Sequence, residues 1–358
     1  MRGEERSVRV ESGSSARGRR RWGRRLAVGG ALLGAAVCAV LVYLLVWGRF
    51  SPYGPVVYGF ERYDLPDVVV YVERDDGPEI AHAGSGSSPG GASVPDLAAV
   101  DALVAEVEQA HSLRFKSRPR LLFFTDVESY GRRTTTRARA CTYYNGTIVV
   151  SPWVQREDAE GVLSLEVYLR HELSHALLYQ HMGILTALRY PKWLLEGIAT
   201  WSAGQMGTFA YPSAAETYAL IAAGDWMPPD AYRTAGEDEV PLHVDARMTF
   251  MYSEFACIVD DLVARYGRET FFAYVTALMD DDDHDAVFRA AFGVGFDAYL
   301  DDFRARVETA ADVRTVPPSA PWPPAATADG ALRPGDTLDA GTRSGGVWAS
   351  PTPLWTTV

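Results

Sequence analysis

Cysteine is scarce in this chain: its 358 residues hold three, Cys38, Cys141 and Cys257, too few for a disulfide framework to stand in for a hydrophobic core. Cys38 lies in an apolar run and reads as a small apolar residue. Cys141 and Cys257 are left as the two thiols that can meet, and separation in sequence says nothing about their distance in space. Internal repeats are absent, which excludes a repeat architecture. Basic residues are also few beyond the start of the chain. Residues 1–50 carry 10 basic and 3 acidic side chains, net +7, whereas residues 51–358 carry 24 and 43, net -19. So acidic a main body lacks the basic surface that phosphate binding needs, which excludes nucleic acid as a partner. What is present is an ordinary core-forming composition, 47% hydrophobic and 11% aromatic, that of a globular chain.

Residues 26–47, "LAVGGALLGAAVCAVLVYLLVW", contain no charge. At about 1.5 Å per residue, such a run spans a hydrocarbon core of about 30 Å. Arg17, Arg19, Arg20, Arg21, Arg24 and Arg25 precede it and only Arg49 follows closely, so the positive-inside rule leaves residues 1–25 in the cytoplasm. The expectation is a single-pass membrane anchor with the acidic bulk outside the cytoplasm. A cleaved signal peptide is the competing reading, but "WGRFSPYG" offers no small-residue cleavage site and Val37 before Cys38 spoils a lipoprotein box.

Residues 48–95 combine two β-rich runs within "VVYGFERYDLPDVVVYVE" and a Gly/Ser/Pro-rich stretch that reads as a flexible loop. Asp96 is placed to cap a helix beginning at Leu97. "PRLLFFTDV" reads as a buried strand, and Asn145-Gly146 between two β-rich runs predicts a hairpin. That turn also accounts for the glycosylation-like triplet Asn145, Gly146, Thr147. From 156 to about 310 the pattern is helical, and 311–358 is a Pro/Ala-rich tail. Residues 96–310 are thus expected to form an α+β domain, mostly helical with a small sheet.

Within it, "YLRHELSHALLYQ" sets His171 and His175 four residues apart with Glu172 between them. On an α-helix, that spacing stacks both imidazoles on one face and leaves Glu172 within reach of a water on a shared ion. The pattern is H-E-x-x-H, in which two histidines bind zinc and the glutamate is the general base. Leu165, Leu169, Leu173 and Ala176, with Val162, form one apolar stripe; Val167, Leu178 and Met182 form another. A helix buried on both flanks must give its polar residues partners.

Glu196 in "YPKWLLEGIATW" follows His175 by 21 residues and opens what reads as a second helix. The paired segments resemble the gluzincins, and among them the peptidase MA family, over roughly residues 95–310. The resemblance implies a zincin-like fold, a zinc ion held by His171, His175 and Glu196, Glu172 as base, and a peptide or protein substrate. It also implies a hydrogen-bond donor from a downstream helix, for which Tyr252 is the candidate and His243 a weaker one; the alternative for Tyr252 is an ordinary core residue. Thermolysin-like members carry an aspartate four residues after the third ligand, where this chain has Thr200, so the partner of His171 is unassigned. Zincins commonly pair an extended substrate with an edge strand, and "TIVVSPW" is expected to supply it. His82, His111, His181 and His284 lack metal spacing, and "DDDDHD" lacks the glycine and spacing of a calcium loop. The rival reading is a zincin-like surface domain without catalysis, its ion serving binding or stability.

Overall fold

The computed structural model describes residues 15–47, 54–74 and 96–312, with side chains of the first helix described over 28–44. The expected loop of 75–95 and nearly all of the expected tail, apart from residues 311 and 312, lie outside the described residues. Twelve helices and five strands are described: α1 (Ser15–Trp47), β1 (Phe60–Asp64), β2 (Val69–Glu73), α2 (Leu97–His111), β3 (Arg120–Phe123), α3 (Val127–Arg133), β4 (Ala140–Thr142), β5 (Thr147–Val150), α4 (Pro152–Ala159), α5 (Leu165–His181), α6 (Ile184–Arg189), α7 (Lys192–Ser202), α8 (Ala214–Ala222), α9 (Arg247–Tyr266), α10 (Arg268–Ala277), α11 (His284–Phe292) and α12 (Phe296–Asp312). The mostly helical α+β architecture with a small sheet follows the sequence expectation.

The sheet has the order β1-β2-β3-β5-β4. β2, β3 and β5 run parallel, and β1 and β4 close the two edges antiparallel. Strands covered on both faces read as unbroken apolar runs, and this is what "VVV", "LLFF" and "IVV" become: Val70, Leu121, Leu122, Phe123, Ile148, Val149 and Val150 are each fully buried. The hairpin turns at Gly146, whose φ of 75° is the left-handed conformation glycine adopts without strain. Asp96 caps α2 by accepting hydrogen bonds from the Ala98 and Ala99 amides.

These placements correct one expectation. "TIVVSPW" contributes β5, which is interior, between β3 and β4; its apolar run reflects cover on both faces. The edge beside α5 is the hairpin's first strand, β4.

α5 stands between two cores. Leu165, Leu169, Leu173 and Ala176 pack with α2 and the sheet, while Leu178 and Met182 join the helical core of α7 and α9–α12. The double flank is as expected, except that Val162 is exposed and Val167 half-buried. Cys38, Cys141 and Cys257 are all free thiols, so no disulfide joins Cys141 to Cys257.

α1 is one continuous helix, and its side chains from 28 to 43 are exposed. Among the described residues no helix is long and apolar enough to cross a membrane. The transmembrane expectation is therefore not supported by the described helices, and the run 26–47 extends past the described side chains at both ends.

Candidate metal centre

Ser164 caps α5 through its side chain, which accepts from the Val167 amide. Two turns on, His171 and His175 meet edge to face with ring centroids 4.8 Å apart and their Nε2 atoms 3.2 Å apart. α7 begins after Pro191 and brings Glu196 across, so that its Oε2 lies 3.4 Å from each Nε2. These three edges match one face of a tetrahedron: donors about 2.1 Å from a tetrahedral centre are separated by about 3.4 Å. Among the described residues no other His, Cys, Asp or Glu joins this group. Three donors on one face leave the fourth direction open.

All three side chains are largely buried. Burial works against the Glu196 carboxylate, but the His175 charge and hydrogen bonds from both imidazoles outweigh it and hold its pKa well below the ordinary range. Burial also works against a charged His171, yet the Glu196 hydrogen bond and the charges of Glu172 and Glu196 raise its pKa on balance. An ionised carboxylate facing two imidazoles is a donor set made for a divalent cation.

Glu172 comes from the same helix, and its charge acts on the His171 ring. Thr142 Oγ1 on β4 lies 2.7 Å from Glu172 Oε2 and 2.9 Å from its carbonyl oxygen, so the edge strand orients the carboxylate. Tyr252 comes from α9, its ring stacked on His171 at a centroid distance of 6.0 Å and an interplanar angle of 10°. Its hydroxyl accepts from Tyr232 at 3.4 Å, and burial with the nearby Glu196 charge pushes its pKa well up, keeping the phenol protonated. All five site residues expected from the sequence therefore converge.

Sequence reasoning missed three neighbours. Thr142 is one. Arg233 is a second, its Nη2 3.7 Å from Glu196 Oε1. Gln205 is the third: His171 Nδ1 and Gln205 Oε1 are both buried and both without a hydrogen-bond partner. The Gln205 amide favours the charged His171 ring, although the geometry falls short of a formed hydrogen bond. Thr200 Oγ1, at the position where thermolysin-like members carry aspartate, is likewise buried and unbonded. No periodicity in sequence links these residues to the H-E-x-x-H helix; the packing of β4, of α7 with its exit turn, and of the α8–α9 loop does.

The reverse side of α5 is locked. His111 Nδ1 donates to the Val107 carbonyl at 2.8 Å, which leaves Nε2 to accept from Ser174 Oγ, also at 2.8 Å. Gly197, next to Glu196, lets α7 approach α9: a Cβ there would meet the Phe255 carbonyl oxygen at 2.8 Å. The remaining histidines stay outside the centre. His243 pairs with Asp225 at 3.4 Å, His181 bonds the Arg114 carbonyl, His284 packs on Phe296, and His82 lies outside the described residues. In the acidic turn Asp283 caps α11 and Asp282 and Asp285 pair with Arg189 and Arg289.

No family model matches this chain, and no curated protein matches it. Among solved structures, an M1 zinc metallopeptidase from Deinococcus radiodurans is similar at 20% identity and a TM-score of 0.39, and a mutant of it at 19% and 0.40. The mutant bound to a Tyr-Ser-Ala substrate is similar at 17% and 0.39. Each match covers 74% of this chain and 54% of the other, so the chain spans about half the length of the structures it matches.

Proposed function

We propose that this protein is a zinc-dependent peptidase of the gluzincin type, with a zincin-like domain, His171, His175 and Glu196 as ligands and Glu172 as general base. The observation that carries the reading is the triangle of Nε2, Nε2 and Oε2 atoms with edges of 3.2, 3.4 and 3.4 Å. Two imidazoles and one carboxylate with an open fourth direction are the donor set of a hydrolytic zinc site, whereas a structural site closes its fourth position with protein. That difference favours catalysis over the non-catalytic surface domain.

Zinc held there supplies Lewis acidity toward a peptide carbonyl and toward water. Glu172, oriented by Thr142, accepts a proton from the attacking water and returns it to the departing amine nitrogen, the two halves of general base and general acid catalysis. Tyr252 keeps its phenolic proton and offers it to the oxygen that gains charge as the carbonyl becomes tetrahedral. Tyr232 donates to the Tyr252 hydroxyl and holds that tyrosine in place.

The same reading anchors the chain in the cell membrane through residues 26–47, with the basic N-terminus cytoplasmic and the peptidase domain outside. It is supported by the charge-free run, the arginine cluster before it, and the exposure of Val28, Leu32 and Leu33 on α1.

The test is the zinc content of the purified full chain beside His175→Ala and Glu172→Gln. About one zinc per chain is expected, retained in Glu172→Gln and lost in His175→Ala, with hydrolysis of a mixed peptide library absent from both variants. Library cleavage undiminished in Glu172→Gln rejects the assigned base, and a metal-replete preparation without zinc rejects the site.

A further inference from the structure

Arg233 sits in the loop between α8 and α9 in a left-handed conformation, φ 59°, which a non-glycine residue adopts only at an energetic cost. The surrounding loop imposes it. The Arg233 amide donates to Glu237 Oε2 at 2.6 Å, and Arg247 holds the loop by donating to the Glu237 and Val240 carbonyls. The strained backbone returns the guanidinium to the metal centre. There its Nε donates to the Tyr232 hydroxyl at 3.0 Å, and Nη2 stops 3.7 Å from Glu196 Oε1, beyond hydrogen-bond length. The side chain is 44% exposed, and its remaining N–H groups have no hydrogen-bond partner among the described residues.

A half-exposed guanidinium with N–H groups to spare is a fork for a carboxylate. The Arg233 charge reaches Tyr144 and Cys141 of the hairpin. Lys192 sets its Nζ 5.4 Å from the Tyr144 ring centroid and donates to the Ala187 carbonyl. Glu196 bonds the imidazoles and stands 3.7 Å from the guanidinium, so it balances part of the Arg233 charge without taking its N–H groups. With a divalent cation in place, the centre carries an excess of positive charge within an otherwise acidic body, a field that selects anions.

We propose that Arg233 is the specificity element of this site, gripping a carboxylate of the peptide substrate close to the bond that is cut. The inference rests on the peptidase reading and names its substrate class. The guanidinium lies so near a ligand's outer oxygen that, at about 3.5 Å of extended chain per residue, the gripped carboxylate belongs to the one or two residues beside the scissile bond. That carboxylate is either the free C-terminus of a peptide or the side chain of an Asp or Glu.

The experiment uses the full chain carrying Glu172→Gln, loaded with zinc and assayed for metal in the same sample. Binding of three dansyl tetrapeptide mixtures is measured by fluorescence: one with a free C-terminal acid and no acidic side chain, one amidated and neutral, one amidated with a single glutamate. At least one of the acidic probes is expected to bind tighter than the neutral amide by on the order of tenfold. Preference for the first identifies a terminal carboxylate, and preference for the third a side chain. Adding Arg233→Gln is expected to abolish the preference without changing affinity for the neutral amide, and Arg233→Lys to keep part of it. Equal binding of all three probes, or a preference that survives Arg233→Gln, overturns the proposal and leaves Arg233 as a counter-charge to Glu196; binding of none overturns it too. A sample without zinc would reject the metal reading, while an acid preference lost in Arg233→Gln would still uphold this one.

Discussion

Thr142 Oγ1 stands 2.7 Å from Glu172 Oε2 and 2.9 Å from the Glu172 carbonyl oxygen, so one hydroxyl on the sheet edge sets the carboxylate of the neighbouring helix. A single proton faces two acceptors there, and the charged one forms the stronger bond. Thr142→Val keeps the shape and removes that donor. Catalytic efficiency toward a cleavable peptide is expected to fall roughly tenfold, the loss of one hydrogen bond to a charged group, with zinc content unchanged. Undiminished activity would show that Glu172 needs no help from the strand.

Gln205 Oε1 and His171 Nδ1 are both buried without a formed hydrogen bond, and the Gln205 amide favours the charged His171 ring. Groups that steady a metal-binding histidine through its second nitrogen typically contribute 10–100-fold to metal affinity. Gln205→Ala is expected to weaken zinc binding by roughly that factor, and Gln205→Glu to restore it. Competition with a chelator of known affinity reads both variants, and identical values for wild type and Gln205→Ala would assign the oxygen no such role.

At Gly197 the close approach of α7 to α9 leaves no room for a methyl group, since a Cβ would meet Phe255 O at 2.8 Å and its carbonyl carbon at 3.0 Å. Gly197→Ala must push the helices apart, an overpacking that costs about 1–3 kcal/mol. Because Glu196 is the adjacent residue, thermal unfolding should begin several degrees lower and zinc affinity should drop with it. A melting curve that overlays the wild type would mean that α7 shifts without strain.

His111 links stability to pH. Burial, the dominant cause, lowers its pKa from 6.5 to about 4, so the folded state resists its protonation more than the unfolded chain does. Its contribution is therefore fully present above pH 6.5 and is lost as pH falls toward 4, amounting to on the order of 2 kcal/mol between pH 7.5 and pH 5. Urea unfolding at the two pH values should show this difference in the wild type and a smaller one in His111→Gln. An equal dependence in both would place the acid sensitivity elsewhere.

Local repetition determined what the sequence by itself could show. The 3.6-residue turn makes "HELSH" a pair of stacked imidazoles wherever that helix forms, and the apolar residues on both its flanks demanded that it be buried, as Leu173 and Leu178 are in opposite cores. Asn145-Gly146 required a tight turn because glycine alone accepts its φ freely, and Glu196 was legible from the resemblance of its segment. The remainder came only from tertiary structure. Cys141 and Cys257 are apart, β5 is interior rather than an edge, and Thr142, Gln205 and Arg233 reach the centre across 30, 34 and 37 residues of chain from Glu172, His171 and Glu196. Such contacts follow from how helices and strands pack, which depends on the whole set of buried surfaces at once, and no local period along the chain records them.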